Sequence, residues 1–190
     1  MGSGPALSVR WSNLMPRKTG PVRLGLQPGK SRNLNGSGAK RAWIKTAELG
    51  DHLMNEVSYG EDIALGADTV WAVIGDFSGI RKWAGAVEAE TTEITPEGKV
   101  RTLTMPGGRS ISERMTDEGP YHYTYTLDRP DMDAYLSTVS VVPGSSDACR
   151  IELIVKFTPK DPSTLDAATE QLTKFCRGNV KAMKRALGLG

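Results

Sequence analysis

The stretch Gly98-Lys99-Val100-Arg101-Thr102-Leu103-Thr104-Met105-Pro106-Gly107-Gly108-Arg109-Ser110-Ile111-Ser112-Glu113-Arg114-Met115 decides the fold. Two alternating runs flank a proline and two glycines, the composition of a hairpin turn. With Pro106-Gly107-Gly108 as a three-residue loop, Met105 pairs with Arg109, Leu103 with Ile111, and Arg101 with Glu113. A two-residue loop would oppose Arg101 to Arg114 and mismatch the faces, so that register is excluded. Leu103, Met105, Ile111 and Met115 all fall on odd numbers, while the even positions are mostly polar. Successive strand residues point to opposite faces, so odd means inward. Arg101 and Glu113 are therefore an inward-facing acid–base pair, with Cβ atoms about 4.5–5.5 Å apart.

The same parity runs through the strand-like segments that follow. Tyr121, Tyr123, Tyr125 and Leu127 are odd, as are Tyr135, Val139 and Val141, then Ile151, Leu153, Val155 and Phe157. Leu136 and Ile154 are the even exceptions. Strand-like runs at 86–94, 99–105, 109–116, 121–128, 134–142 and 149–158 are punctuated by Gly98, Gly119-Pro120, Arg129-Pro130-Asp131 and Pro143-Gly144. Ahead of them, 57–65 reads as a strand and 67–77 as a helix carrying Val70, Trp71, Ile74 and Phe77 at helical spacing. The chain ends in a helix over 163–187, opened by Asp161-Pro162, with Leu165, Ala168, Leu172, Phe175, Cys176, Val180, Met183 and Leu187 on one stripe. One strand, short helices, six further strands and a long amphipathic helix predict an α+β fold. In it a strongly bent antiparallel sheet wraps the terminal helix.

The order of these motifs resembles the START-like or Bet v 1-like superfamily, including its polyketide cyclase/dehydrase-like branch. This is the helix-grip fold of ligand-binding proteins and cyclases. Val70-Trp71-Ala72-Val73-Ile74-Gly75-Asp76-Phe77 with Lys82-Trp83 resembles its first-helix signature. Gly98-Lys99-Val100-Arg101 with Ile111-Ser112-Glu113-Arg114 resembles its central hairpin. Tyr135, Val139, Val141 and the terminal helix complete the match over about 135 residues. In the lachrymatory-factor synthases and the plant abscisic acid receptors, an arginine, a glutamate and a tyrosine at these places face the cavity. The resemblance thus implies that Arg101 orients an oxygen-bearing group, Glu113 moves a proton and Tyr135 donates a hydrogen bond. In the receptor-like version, Glu113 and Tyr135 instead hold ordered water around a ligand. The receptors' cavity lysine falls near Ala86-Val87-Glu88, where this chain has none. Their gate loop is replaced by Pro106-Gly107-Gly108, and their latch falls near Asp131-Met132-Asp133. A hormone receptor of that type is disfavoured.

The expected cavity lies between sheet and helix, walled by Met105, Ile111, Tyr123, Tyr125, Leu127, Val139, Leu153, Phe175 and Met183. Arg101, Glu113 and Tyr135 are its polar contacts, and the Pro106-Gly107-Gly108 turn sits near its mouth. The alternative is a filled core in which Arg101–Glu113 is a structural pair. Two functions follow: a carrier or sensor of a small hydrophobic molecule, or a cyclase, dehydratase or isomerase using Glu113 as general acid/base. No cofactor is expected.

Composition excludes much else. Two cysteines and two histidines among 190 residues make neither a disulfide scaffold nor a metal site. Cys149 and Cys176 fall on core faces and read as inert thiols. His122 is even, hence outward, and His52 precedes the first strand, so no Ser/His/Asp triad assembles. No apolar run is long enough to span a membrane, and the expected location is cytoplasmic. The net charge of +2 averages two unlike segments: residues 1–50 carry nine Lys/Arg and only Glu48, while 51–190 carry fifteen Lys/Arg against twenty-one Asp/Glu. Residues 1–53 are expected to be a disordered basic extension, with 54–190 as the ligand-binding domain. Organelle targeting, an extension preceding a start at Met54, and an adaptor that binds a partner through its charge are the roles open to the tail. The folded body is not expected to bind nucleic acid.

Overall fold

The computed structural model describes residues 54–190; the basic segment 1–53, with the roles considered for it, lies outside the described residues. The elements are β1 (Asn55–Ile63), α1 (Ala67–Ile74), a short 310 segment (Phe77–Lys82), β2 (Ala89–Thr95), β3 (Gly98–Met105), β4 (Arg109–Gly119), β5 (His122–Thr126), β6 (Met132–Pro143), β7 (Cys149–Pro159) and α2 (Leu165–Ala186). All seven strands form one antiparallel sheet in the order β1-β7-β6-β5-β4-β3-β2. Strands β2 to β7 are a meander of sequence neighbours, and β1 joins it through β7.

The β3–β4 hairpin has the expected register, with Met105 opposite Arg109, Leu103 opposite Ile111 and Arg101 opposite Glu113. The turn needs its glycines. Gly108 N donates to Met105 O at 3.0 Å, and Gly107 and Gly108 adopt φ of +83° and +76°. Proline followed by glycine at positive φ is the sequence of a type II turn, and the second left-handed glycine returns the chain to its ladder.

Inward parity holds along β3, β5, β6 and β7, where Arg101, Leu103, Met105, Tyr123, Tyr125, Tyr135, Val139, Val141, Ile151, Leu153, Val155 and Phe157 are buried. It shifts at two places. The β4–β5 register slips between Met115 and Asp117, and the β6–β7 register slips between Met132 and Ala134. Each β-bulge inserts one residue and resets the phase, which is how even-numbered Met132 comes to be buried. In β2 the phase is also even, since Thr92 opposes Arg101.

The first helix is shorter than the expected 67–77. It stops at Ile74, and Phe77 opens the 310 segment instead, with Asp76 Oδ1 accepting from Ser78 N at 2.9 Å. A side chain at Gly75 would place its Cβ 2.4 Å from the Trp71 indole, so any larger residue here would displace that ring. At the far end, Asp161 caps a 310 turn over Pro162–Thr164 and α2 follows. Ala168, Leu172, Phe175, Cys176, Asn179, Val180 and Met183 form the buried stripe of α2, which packs on β1 and β7. Among the described residues, no helix is long and apolar enough to cross a membrane.

Candidate functional site

Arg101 is fully buried, and burial alone would pull its guanidinium pKa down. Glu113 reverses that and drives it above its ordinary value, so the arginine stays charged. Its Nε donates to Glu113 Oε2 at 2.5 Å, and Nη1 donates to the backbone oxygen of Phe77 at 2.8 Å. Three rings enclose the guanidinium carbon, with centroids at 4.2 Å for Phe77, 5.1 Å for Tyr125 and 5.8 Å for Tyr123. A desolvated cation over aromatic faces gains about 2 kcal/mol. The 310 segment is what brings Phe77 there, so three separate parts of the chain converge on one arginine. The residue expected to orient a ligand is thus held by the protein itself.

Glu113 keeps 9% of its side chain exposed, and no described residue donates to Oε1. Next to it the inner face carries hydroxyls. Burial raises the pKa values of Tyr123, Tyr125 and Tyr135, and Glu113 adds to the rise in each. The Ser137 hydroxyl lies beside those of Tyr125 and Tyr135. Ser137 Oγ nevertheless makes no hydrogen bond of acceptable geometry among the described residues, and neither does Tyr123 OH or Trp83 Nε1. Arg101 is close enough to Tyr123 to lower its phenol, but the contact lacks hydrogen-bond geometry. Such unmade bonds inside a core are where water or a ligand's polar group is accommodated.

These phenols give a test of their burial. Raised folded-state pKa values mean that stability is full below the unfolded value near 10 and falls as pH climbs above it. In an absorbance titration, Tyr59 and Tyr121 are expected to ionise first, themselves delayed by hydrogen bonds to Glu61 and Asp68. The other three of the five tyrosines should ionise only together with loss of the far-ultraviolet dichroism. Smooth ionisation of all five in a folded protein would contradict it.

Two spaces open at the end of the sheet where β5 leaves it. A pocket of about 160 Å3 is lined by Val100, Ser112, Glu113, Arg114, Thr126, Leu127 and Asp128. A cleft of about 550 Å3 is lined by Thr126, Leu127, Asp128, Arg129, Pro130, Met132, Asp133, Ala134, Tyr135 and Lys160. Glu113 and Tyr135 thus face separate spaces that share Thr126, Leu127 and Asp128. Of the expected wall, Leu127 lines both. Met105, Tyr123, Tyr125, Val139, Leu153, Phe175 and Met183 pack in the buried core, with Ile111 half-buried against it.

Arg129 is a feature the sequence reading treated as a turn residue. It is buried and held by Asp131 through Nε–Oδ1 at 3.0 Å and Nη2–Oδ2 at 2.6 Å, with the Tyr135 ring 5.6 Å from its guanidinium carbon. Asp131, part of the same turn, is therefore its partner. Both cysteines are free and buried; burial pushes the Cys176 thiol up to about 12 and raises Cys149. No group of His, Cys, Asp and Glu suited to a metal ion is present among the described residues.

Residues 54–188 match the sequence profile of the family described as polyketide cyclase / dehydrase and lipid transport. Among solved structures, the chain is 27% identical to an uncharacterized protein from Bacillus thuringiensis, with TM-score 0.60 over 70% of this chain and 98% of that one. It is 28% identical to the protein XoxI from Bacillus cereus, with TM-score 0.59 over 70% and 95%. Norcoclaurine synthase from Thalictrum flavum shares the fold at 19% identity, with TM-score 0.56 over 82% and 95%. A search of curated proteins finds no match.

Proposed function

Since the chain belongs to the polyketide cyclase / dehydrase and lipid transport family, whose members bind hydrophobic ligands or act as cyclases, we propose that it is a carrier or sensor of a small hydrophobic molecule. In this reading Glu113 and Tyr135 supply the ligand's polar contacts. The supporting observation is the state of Glu113. One oxygen is committed to a 2.5 Å ion pair with a fully buried arginine, and the other has no donor among the described residues. An acceptor fixed in this way is preorganised to receive a ligand's O–H or N–H. Proton transfer at the committed oxygen would require breaking a buried ion pair, which is costly. That favours binding over the alternative of a cyclase, dehydratase or isomerase with Glu113 as acid/base.

Native mass spectra of the gently purified full chain test the reading. A small-molecule adduct is expected on the wild-type protein and is expected to be depleted in Glu113→Gln. Losing a hydrogen bond to a charged group costs about 1.5–3 kcal/mol, or about ten- to a hundredfold in affinity. A wild-type protein that carries no adduct and binds no hydrophobic fluorophore would overturn the proposal. A variant that keeps the adduct but loses turnover of it would select the enzymatic alternative.

A further inference from the structure

We propose that the Glu113 pocket and the Tyr135 cleft are the two ends of one elongated binding site, divided by the side chain of Leu127. Its occupant is an apolar molecule that carries a hydroxyl or amine at the end meeting Glu113. This rests on the binding reading above and gives it a ligand class and a specificity-determining residue.

The gap follows from the ladders. The β4–β5 pairing ends at Arg114 opposite Thr126, and the β5–β6 pairing ends at Tyr125 opposite Ser137. Strand β4 continues back to Arg109, paired on that stretch with β3 alone. The β4 edge at Glu113 therefore faces Leu127 and Asp128 across a break in the sheet. The pocket's lining shows that the break is open. Val100, Ser112 and Arg114 come from the outward row, while Glu113 comes from the inward one. Glu113 is thus reached from the side, through the sheet.

Leu127 stands where the two spaces meet. It is half-buried, and the chain is pinned on either side of it, with Thr126 Oγ1 bonded to Tyr135 O at 2.8 Å and Met132 N to Arg129 O at 3.2 Å. Leu127 and Asp128 themselves make no backbone hydrogen bond outside the ladders among the described residues. The Leu127 side chain packs partly against the core, and trimming it breaks no backbone bond of the sheet.

The chemistry of each end selects the ligand. An ionised carboxylate accepts only, so the group meeting Glu113 Oε1 must be a donor. A space of about 150 Å3 holds one benzene ring, which matches the pocket of about 160 Å3. Beyond Leu127 the cleft offers Pro130, Met132 and Ala134 to an apolar body, with Tyr135 also in its lining. Asp128, Asp133 and Lys160 mix signs around the cleft, so no net charge on the ligand is called for.

Isothermal titration of the full chain with para-ethylphenol and para-hexylphenol, and with para-hexylanisole as the donor-free control, tests this. Each added methylene buried in the cleft is expected to strengthen binding about fourfold. Leu127→Ala should raise the affinity ratio of hexylphenol to ethylphenol at least about tenfold, and Leu127→Trp should lower it by a similar factor. The anisole should bind about tenfold more weakly than hexylphenol. Glu113→Gln should weaken both phenols while leaving the anisole unchanged. Leu127→Met, close to leucine in volume, controls for disturbance of the fold and should keep the wild-type ratio. Phenol binding whose length dependence is the same in Leu127→Ala, Leu127→Trp and wild type would overturn the partition and leave the binding reading intact. Equal binding of phenol and anisole would overturn the donor requirement. No binding of either phenol to wild type or to Leu127→Ala would overturn the binding reading and this inference with it.

Discussion

Replacing Arg101 with methionine is expected to destabilise the domain by about 3–5 kcal/mol, the cost of leaving one partner of a buried ion pair alone. For a chain of this size that lowers the melting temperature on the order of 10 °C. Three losses coincide. Glu113 loses its cationic partner, the Phe77 carbonyl loses its donor, and the Phe77 and Tyr125 rings lose the guanidinium between them. Glu113→Gln should cost less, about 1.5–3 kcal/mol, because a glutamine oxygen can still accept from Nε. The double variant Arg101→Met with Glu113→Leu separates charge from shape. An apolar replacement of both partners removes the desolvation cost together with the attraction, so it should regain most of the loss. Urea melts of the three variants decide the matter. If the double variant is as unstable as Arg101→Met, the cost lies in packing rather than in an uncompensated charge.

Phe77→Ala is expected to cost a similar amount, about 3–5 kcal/mol, for deleting a buried ring. The ring is buried among Tyr123, Tyr125 and the arginine, with centroids 5.6 Å and 6.3 Å from the two tyrosines. The backbone carbonyl that accepts from Arg101 survives the substitution, so this variant measures the ring alone. Phe77→Leu refills most of the volume but has no π face. The gap between leucine and wild type should therefore approach the roughly 2 kcal/mol of a desolvated cation over a ring. Thermal melts giving Phe77→Leu wild-type stability would show that the arginine needs the carbonyl and not the ring.

What made the ion pair legible in the sequence was the coincidence of two short-range rules. Loop length fixes register and strand parity fixes the face, and Arg101 and Glu113 satisfied both. The α2 stripe was legible for a similar reason, because helical period is local. Ser137 obeyed the same parity, odd within a run of inward residues, and its small polar side chain was the available signal for a gap in apolar packing. Other parts of the site depend on what no period records. The bond from Arg101 to Phe77 O joins residues 24 positions apart through a backbone atom, and backbone oxygens carry no sequence signature. The break beside Glu113 arises because β5 is five residues long where 121–128 reads as a strand. The burial of Met132 and Arg129 was not countable, because a bulge and a turn lie between them and the nearest regular strand position.

The connection of β1 to β7 carries a consequence for how the chain reaches this state. Asn55 bonds the carbonyl of Phe157 across 102 residues, whereas the strands from β2 to β7 pair with sequence neighbours. Loop-closure entropy makes the distant pairing the least favourable one to form early. The meander and its hairpins can assemble from local contacts, and β1, synthesised before all of them, is the last to find its place. Until it does, the outer edge of β7 offers a full row of unpaired backbone groups, the ordinary template for pairing with another chain. The interval between completion of β7 and docking of β1 is thus the period in which this domain is most exposed to misassembly.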